Sequence, residues 1–547
     1  MRATMMDTPL TISAILRYGT SAYSEREIVT ATLGGVRRRT YREVGVRSAK
    51  LANALRSLGV DADQRVATLM WNNAEHLEAY LTIPSMGAVL HTLNLRLDPA
   101  VIGYIAEHAS DEVVIADVTL APLLASVLPH APSIRHVIIS NPEDITDPVP
   151  PPELAGEGRQ VHSYEELIAS QPDTFDWPEL DERSAAAMCY TSGTTGLPKG
   201  VVYSHRSMYL HSMAVSMGNV FGMSDRDRVL PVVPMFHANA WGLPYAAVLA
   251  GADMVMPDRF MQPAPLAALI EAERPTLAGA VPTIWNGLLQ HVRAQGGDLS
   301  SLRMVPCGGS AVPHALLEAY EKELGVTIVQ AWGMTETSPL GSVARPPVGV
   351  PEDQAWQYRD TAGRLICLVE GRLVGEAGTV LPNDGAAVGE VEVRGPWVTA
   401  AYYKDDDPAK FRDGWLRTGD VGTIDPLGYV TLTDRAKDVI KSGGEWISSM
   451  ELENALMAHP GVTEAAVIGV PDDKWGERPL AAVVLAADGA VTADELRAFL
   501  ADRVPRWQLP ERWSFIAEVP KTSVGKFAKT RMREAYARGD YEVIEVR

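Results

Sequence analysis

Thr191, Ser192, Gly193, Thr194, Thr195, Gly196, Leu197, Pro198, Lys199 and Gly200 form a run of glycines and hydroxyls that closes on a lysine. These residue types suit the holding of phosphate. Glycine admits positive φ and lets backbone N–H groups approach an anion, hydroxyls donate hydrogen bonds, and the lysine brings charge. The flanks, Ala185–Tyr190 and Gly200–Tyr203, read as strands, so the run is a loop at a strand end, a usual place for a phosphate cradle. The Walker A pattern does not fit, because Lys199 is followed by Gly200 and preceded by Pro198, which opposes the helix a P-loop opens there. By composition alone the run also suits a flexible linker.

A second group of candidates lies on a βαβ unit, predicted as a strand over 302–306, a helix from about 313 to 324 and a strand over 326–329. Pro313 opens the helix, Gly325 closes it, and Leu316, Leu317, Tyr320 and Leu324 recur at helical spacing. Ligands of open α/β sheets bind beyond the carboxyl ends of strands, so Gly308, Gly309 and Ser310 should face the same crevice as Trp332, Gly333, Met334, Thr335 and Glu336. There the glycines admit a flat ligand, Trp332 can stack on a base, and Glu336 can offer a hard oxygen to Mg²⁺. Taken singly, Trp332 reads equally as a core aromatic and Glu336 as a surface acid.

The elements that must position these groups belong to a chain of 547 residues, enough for about two to four domains. Forty-nine basic against sixty-nine acidic residues give a net charge of −20, which argues against a nucleic-acid partner and an anionic membrane surface. Anionic substrates then need local basic patches, and residues 497–533 carry nine Lys/Arg against three Asp/Glu. The same charges also suit a solvated helical face. Cys189, Cys307 and Cys367 are too far apart for a Cys-x-x-Cys site and fit a reducing cytoplasm. Neither a signal peptide, an integral membrane span nor a Ser-Lys-Leu address is read from the chain. Pro148–Pro152 is the nearest approach to low complexity. A smaller domain starts near Asp434. Its expected elements are a helix over about 449–457, strands over 465–470 and 480–485, and a further helix opened by a Thr492–Glu495 capping box.

With these pieces in order, the chain resembles the adenylate-forming superfamily of acyl-CoA synthetases, carrier-protein adenylation domains and firefly-type luciferases. The segments that carry the resemblance are Thr191–Gly200, Pro234–His237, Gly308–Ala311, Gln330–Glu336, Gly414–Asp420, Asp434–Asp438 and Pro520–Lys526, in family order over nearly the whole chain. The resemblance implies an α/β fold whose N-terminal part, residues 1–433, has two αβ subdomains plus a distorted β-barrel. A small mobile α+β domain over 434–547 would hinge near Asp434. It also implies two half-reactions: a carboxylate attacks the ATP α-phosphate to give an acyl-adenylate, and a thiol then takes the acyl group after the small domain rotates. The attacking carboxylate is ionised at pH 7, so the demand is to neutralise charge on phosphorus.

By the same resemblance Lys526 reaches the α-phosphate and the carboxylate, a role that Lys199 first suggests for itself, and Lys199 becomes an auxiliary phosphate contact. Asp420 would accept the ribose hydroxyls, with Arg435 and Lys437 beside ribose and phosphate. Thr191 and Glu336 would be the Mg²⁺ partners, largely through waters. Ser192, Gly193, Thr194, Thr195, Gly309, Ser310, Gln330, Ala331, Trp332, Gly333 and Thr335 complete the implied ATP/AMP site. Lys441 and Trp446 resemble nucleotide contacts, and Gly443 and Gly444 would line the coenzyme A tunnel.

Amino-acid-activating relatives usually carry Phe-Asp where this chain has Phe236-His237, so a counter-charge for an α-ammonium is missing. His237, Trp241 and Gly333 are the implied acyl contacts. The surrounding Val232, Val233, Met235, Leu243 and Tyr245 suit an apolar chain or a plain core. The run Pro234–Gly242 is similar to bacterial medium- to long-chain fatty acyl-CoA ligases, and 21 residues after Lys526 leave no room for a fused carrier, which points to free coenzyme A as acceptor. Loading of a separate carrier protein and a non-catalytic acyl or nucleotide sensor are the competing readings, and a homodimer is a family-level expectation. The usual Gly-x-Pro lacks its proline at Gly363–Ile366, so no site residue is assigned between Leu340 and Gly389.

Overall fold

The computed structural model describes residues 1, 3–141, 152–156, 158–191, 197–375, 377–405, 407–435, 437–443, 445–486, 491–522 and 525–546. Ser192, Gly193, Thr194, Thr195 and Gly444 therefore lie outside the described residues, as do most of the Pro148–Pro152 run and Ser523–Val524 of the motif that ends in Lys526.

Two αβ layers build the first half. A seven-stranded sheet runs Gln160–Ser163, His136–Ser140, Val113–Asp117, Arg65–Leu69, Val89–Thr92, Ala185–Tyr190 and Gly200–Ser204, parallel except for the last pair. A five-stranded sheet runs Leu277–Gly279, Arg228–Pro231, Asp253–Met256, Glu27–Thr32 and Gly35–Thr40, again parallel but for its final hairpin. Continuous apolar runs such as Val113–Ala116 are what strands covered on both faces require. The helix Ala74–Ser85 is buried along its whole length. Its acids are tolerated because Arg37 and Arg39 reach Glu75, and Arg39 and Arg47 reach Glu78.

Isolated bridges from Leu277 and Ala280 to Met304 and Cys307 carry the five-stranded sheet into a ten-stranded one. That sheet starts with the parallel pair Val305–Gly308 and Ile328–Gly333 and continues antiparallel to Val380–Leu381. It holds the place of the expected distorted barrel, but its hydrogen-bonded path is open, with the first and last strands unpaired to each other among the described residues. The predicted βαβ helix is found at His314–Leu324 with Pro313 as its N-cap. Both strands lie further along than expected. Leu302 is spent on a buried turn, and the second strand runs on through Trp332 because Gly333 admits Leu340–Val343 as an antiparallel neighbour.

A fourth sheet takes up 440–545, with Gly476–Leu485 flanked by Val462–Asp472 and Arg512–Phe515. Ile440, Leu452, Val467, Val483, Leu496 and Trp513 form a core under it. The helix Ser449–Met457 and the Thr492–Glu495 capping box occur where the sequence puts them. Asp434 itself lies in the strand Tyr429–Arg435 of the ten-stranded sheet, and its carboxylate accepts from Ser449 N–H at 2.8 Å, linking strand to helix.

Candidate active site

Strand ends of the seven- and ten-stranded sheets, the segment around His237 and the loop carrying Lys526 line one cavity of about 590 Å³. Lys526 sits in a tight turn in which its N–H donates to Thr522 Oγ1 at 3.1 Å and Gly525 takes φ 82°. The turn rests on the other half of the molecule: a Cβ at Gly309 would stand 3.3 Å from Lys526 Cε, and one at Gly525 would stand 3.2 Å from Thr283 Oγ1. Burial and the neighbouring Arg435 lower the Lys526 ammonium to about 8, against the opposing pull of Asp420 and Glu336.

Glu336 lines the cavity and is 5 % exposed. Its Oε1 accepts from Tyr402 Oη at 2.6 Å, and its carbonyl accepts from Thr399 N–H at 2.8 Å. Asp420 stands behind two lining residues, with Arg435 Nε 2.8 Å from Oδ1 and Trp332 Nε1 donating to Oδ2 at 2.8 Å. Each carboxylate oxygen has two lone-pair directions, so both retain capacity for a hydroxyl. Thr191 pairs with Lys199: its N–H donates to Lys199 O at 2.9 Å and its Oγ1 accepts from Lys199 N–H at 3.1 Å. Thr335 is buried beneath the cavity, its carbonyl bonded to Tyr203 Oη at 2.8 Å.

Phe221, Trp241, Met334, Pro339 and Leu340 give the cavity an apolar part, with His237 and Ala238 beside them. Burial, with Lys526 and Arg96 nearby, lowers His237 to about 3, so its imidazole is neutral at pH 7. The residues that follow are left-handed, with φ of 43° at Ala238, 52° at Asn239, 50° at Ala240 and 58° at Trp241. Such backbone costs about 1–2 kcal/mol per residue and persists only where the surroundings dictate it. Here Asn72 donates to the carbonyls of Pro231 and Val233 at 2.7 and 2.9 Å and accepts from Met235 N–H at 2.8 Å. Tyr80 bonds the Met235 carbonyl, and Cys189 Sγ donates to Asn239 Oδ1 at 3.0 Å.

Of the expected site residues, Thr191, Lys199, His237, Trp241, Gly309, Ala331, Trp332, Gly333, Thr335, Glu336, Arg435 and Lys526 line this cavity. Several others do not. Ser310 is exposed outside it. Gln330 spends its amide on backbone, accepting from Val312 N–H at 2.6 Å and donating to Thr361 O at 2.5 Å, so it shapes the crevice from behind. Trp332, though it lines the cavity, has Gly341 packed close against its ring. Lys437 is not among the lining residues. Lys441 and Trp446 face each other in a hairpin of the fourth sheet, and Gly443 is held by its N–H to Trp475 O at 2.8 Å, all away from the cavity. Val232, Val233, Met235, Leu243 and Tyr245 are core, not lining. Sequence reasoning missed Tyr402, Tyr403, Lys404 and Lys410, which all line the cavity. The cluster of aromatics and charges at 402–405 was the available signal.

Residues 19–403 match the family model described as AMP-binding enzyme, and residues 451–526 match the AMP-binding enzyme C-terminal domain. The chain belongs to the AMP-binding enzyme family. A long-chain-fatty-acid–CoA ligase of Thermus thermophilus is 43% identical over 98% of this chain and 97% of its own length. A medium-chain-fatty-acid–CoA ligase of Ectopseudomonas oleovorans is 41% identical over 98% of both, and a 3-methylmercaptopropionyl-CoA ligase of Ruegeria pomeroyi is 42% identical over 98% of this chain and 99% of its own. Among solved structures, an anthranilate CoA ligase in complex with anthranoyl-AMP superposes with a TM-score of 0.86 at 26% identity, covering 99% of this chain and all of the other. With this fold and these relatives, the chain is an AMP-forming acyl-CoA ligase that works through an acyl-adenylate.

Proposed function

We propose that this ligase condenses a medium- to long-chain fatty acid with ATP, releasing pyrophosphate, and passes the acyl group to coenzyme A, releasing AMP. The observation that carries this reading is a single cavity with Lys526, Arg435 and Glu336 in its polar part and Phe221, Trp241 and Leu340 in its apolar part. Lys526 would stabilise charge growing on the α-phosphate and the attacking carboxylate. Asp420, positioned by Trp332 and Arg435, would take the ribose hydroxyls. A neutral His237 stands where amino-acid-activating relatives usually carry the acid that holds an α-ammonium, whereas each methylene buried against the apolar part contributes about 0.8 kcal/mol.

Thr191 and Glu336 offer the hydroxyl and carboxylate oxygens that suit Mg²⁺, which supplies charge neutralisation at the phosphates. We take residues 434–547 as the domain that moves between half-reactions, bringing Gly443 and Gly444 toward the thiol. We place the reaction in the cytoplasm. Its three cysteines are all unpaired, and no described helix is long and apolar enough to cross a membrane.

The test is one assay of purified protein with ATP, Mg²⁺ and straight-chain acids from butyric to eicosanoic, plus 3-methylmercaptopropionate, with and without coenzyme A. Coenzyme A-dependent thioester and AMP, greatest with medium or long chains, is the expected result. Preference for the short thioether acid would move the substrate, and adenylate without coenzyme A-dependent turnover would favour a carrier protein as acceptor.

A further inference from the structure

Lys199 carries the only positive charge of the phosphate loop, and in this fold it is already engaged. Its Nζ lies 2.9 Å from Asp405 Oδ2 and 2.8 Å from Asp407 Oδ2, and 4.9 Å from the centre of the Tyr402 ring. All four residues line the cavity. Backbone ties the two segments together, since Tyr403 N–H donates to Gly200 O at 2.8 Å. Asp407 is fixed in turn by accepting from Lys410 N–H at 3.2 Å. Tyr402, the ring under the ammonium, bonds Glu336.

These carboxylate oxygens stand at the distances a phosphate oxygen would take from the same ammonium. With three N–H donors, Lys199 cannot keep both carboxylates and also grip a polyphosphate fully. The Lys199, Asp405 and Asp407 side chains are 36 %, 39 % and 28 % exposed. At that exposure ion pairs are weak, so an incoming polyphosphate can displace them. The pairing is mutual: hydrogen bonds with Asp407 and Asp405 raise the lysine, and the bond to Lys199 holds Asp407 below the usual carboxylate range.

We propose that Asp405 and Asp407 are positioning residues for pyrophosphate release, surrendering Lys199 when ATP enters and reclaiming it when pyrophosphate leaves. The exchange trades affinity for ATP against faster escape of its product, and it rests on the ligase reading above. It needs no bond chemistry, since one set of anionic oxygens replaces another on a single ammonium.

The test compares wild type, D405N/D407N, D405E/D407E and D405N/D407N made on a Lys199→Ala background. In D405N/D407N the KM for MgATP and the inhibition constant for pyrophosphate should both fall about three- to tenfold, with the KM for the acid unchanged. The charge-conserving D405E/D407E should stay near wild type, and without Lys199 the asparagine pair should change neither constant. Unchanged or raised constants in a D405N/D407N protein that still releases pyrophosphate would overturn the exchange alone. An equal fall in the absence of Lys199 would also overturn it, because the charges would then act without the lysine. Absence of ATP-dependent pyrophosphate release by wild type would overturn the ligase reading, and the exchange with it.

Discussion

At the residue scale, Lys526 owes its properties to placement more than to type. Its ammonium is lowered to about 8 by burial and by Arg435. It is therefore charged below that pH and progressively neutral above it. If the charge is what adenylation needs, kcat/KM for pyrophosphate release should fall about tenfold per pH unit above about 8, as a single titrating group dictates. Bound polyphosphate favours the ammonium, so the fall in kcat should come at higher pH. A flat kcat/KM between pH 7 and 10 would assign the role elsewhere. Asp420 offers a second test, since it orders both Trp332 and Arg435. Asp420→Asn should raise the KM for MgATP by about tenfold or more through lost charge-assisted hydrogen bonds and leave the KM for the acid nearly unchanged. Equal effects on both would mean a general collapse of the site.

At the element scale, the crevice depends on backbones lying unusually close. A Cβ at Gly333 would stand 1.8 Å from Pro339 O, so Gly333→Ala must push apart the strands that carry Trp332 and Leu340. A destabilisation of at least about 1–3 kcal/mol is expected from that overpacking, read as a lower denaturation midpoint, together with loss of adenylate formation. A wild-type midpoint and rate would contradict the packing described. Elements governed by local chemistry were legible in the sequence: Ala185–Tyr190 from its apolar run, His314–Leu324 from Pro313 and Gly325, and Ser449–Met457 from its pattern. What depends on distant partners was not. The strands of the βαβ unit shift along the chain because Gly333 pairs with Leu340, and the Gln330 amide is claimed by Val312 and Thr361. The left-handed turn Ala238–Trp241 is held through Cys189 on Asn239, and the Pro231–Met235 segment leading into it through Asn72 and Tyr80, each more than 40 residues away, so no local pattern announces it. Tyr402 and Lys410 reach the site only through the folding of the ten-stranded sheet.

At the scale of the whole molecule, a chain of net charge −20 concentrates Lys199, Lys404, Lys410, Arg435 and Lys526 around one cavity, against Glu336, Asp405 and Asp407 among the described lining residues. The local surplus is what draws an anionic substrate into an acidic protein. The fourth sheet, with its own core, delivers Lys526 across to Gly309 and Thr283 of the larger part, so the charge proposed to serve adenylation arrives on a separate piece of the fold. On the proposed reading that arrangement would join ATP activation to the position of the small domain, and its decisive measurement is single-turnover formation of acyl-adenylate without coenzyme A by wild type and Lys526→Ala. Wild type should form the adenylate with stoichiometric pyrophosphate, and Lys526→Ala should be slower by about 10²–10³ or more, the cost of losing one transition-state donor. Equal rates in the two proteins would contradict the account.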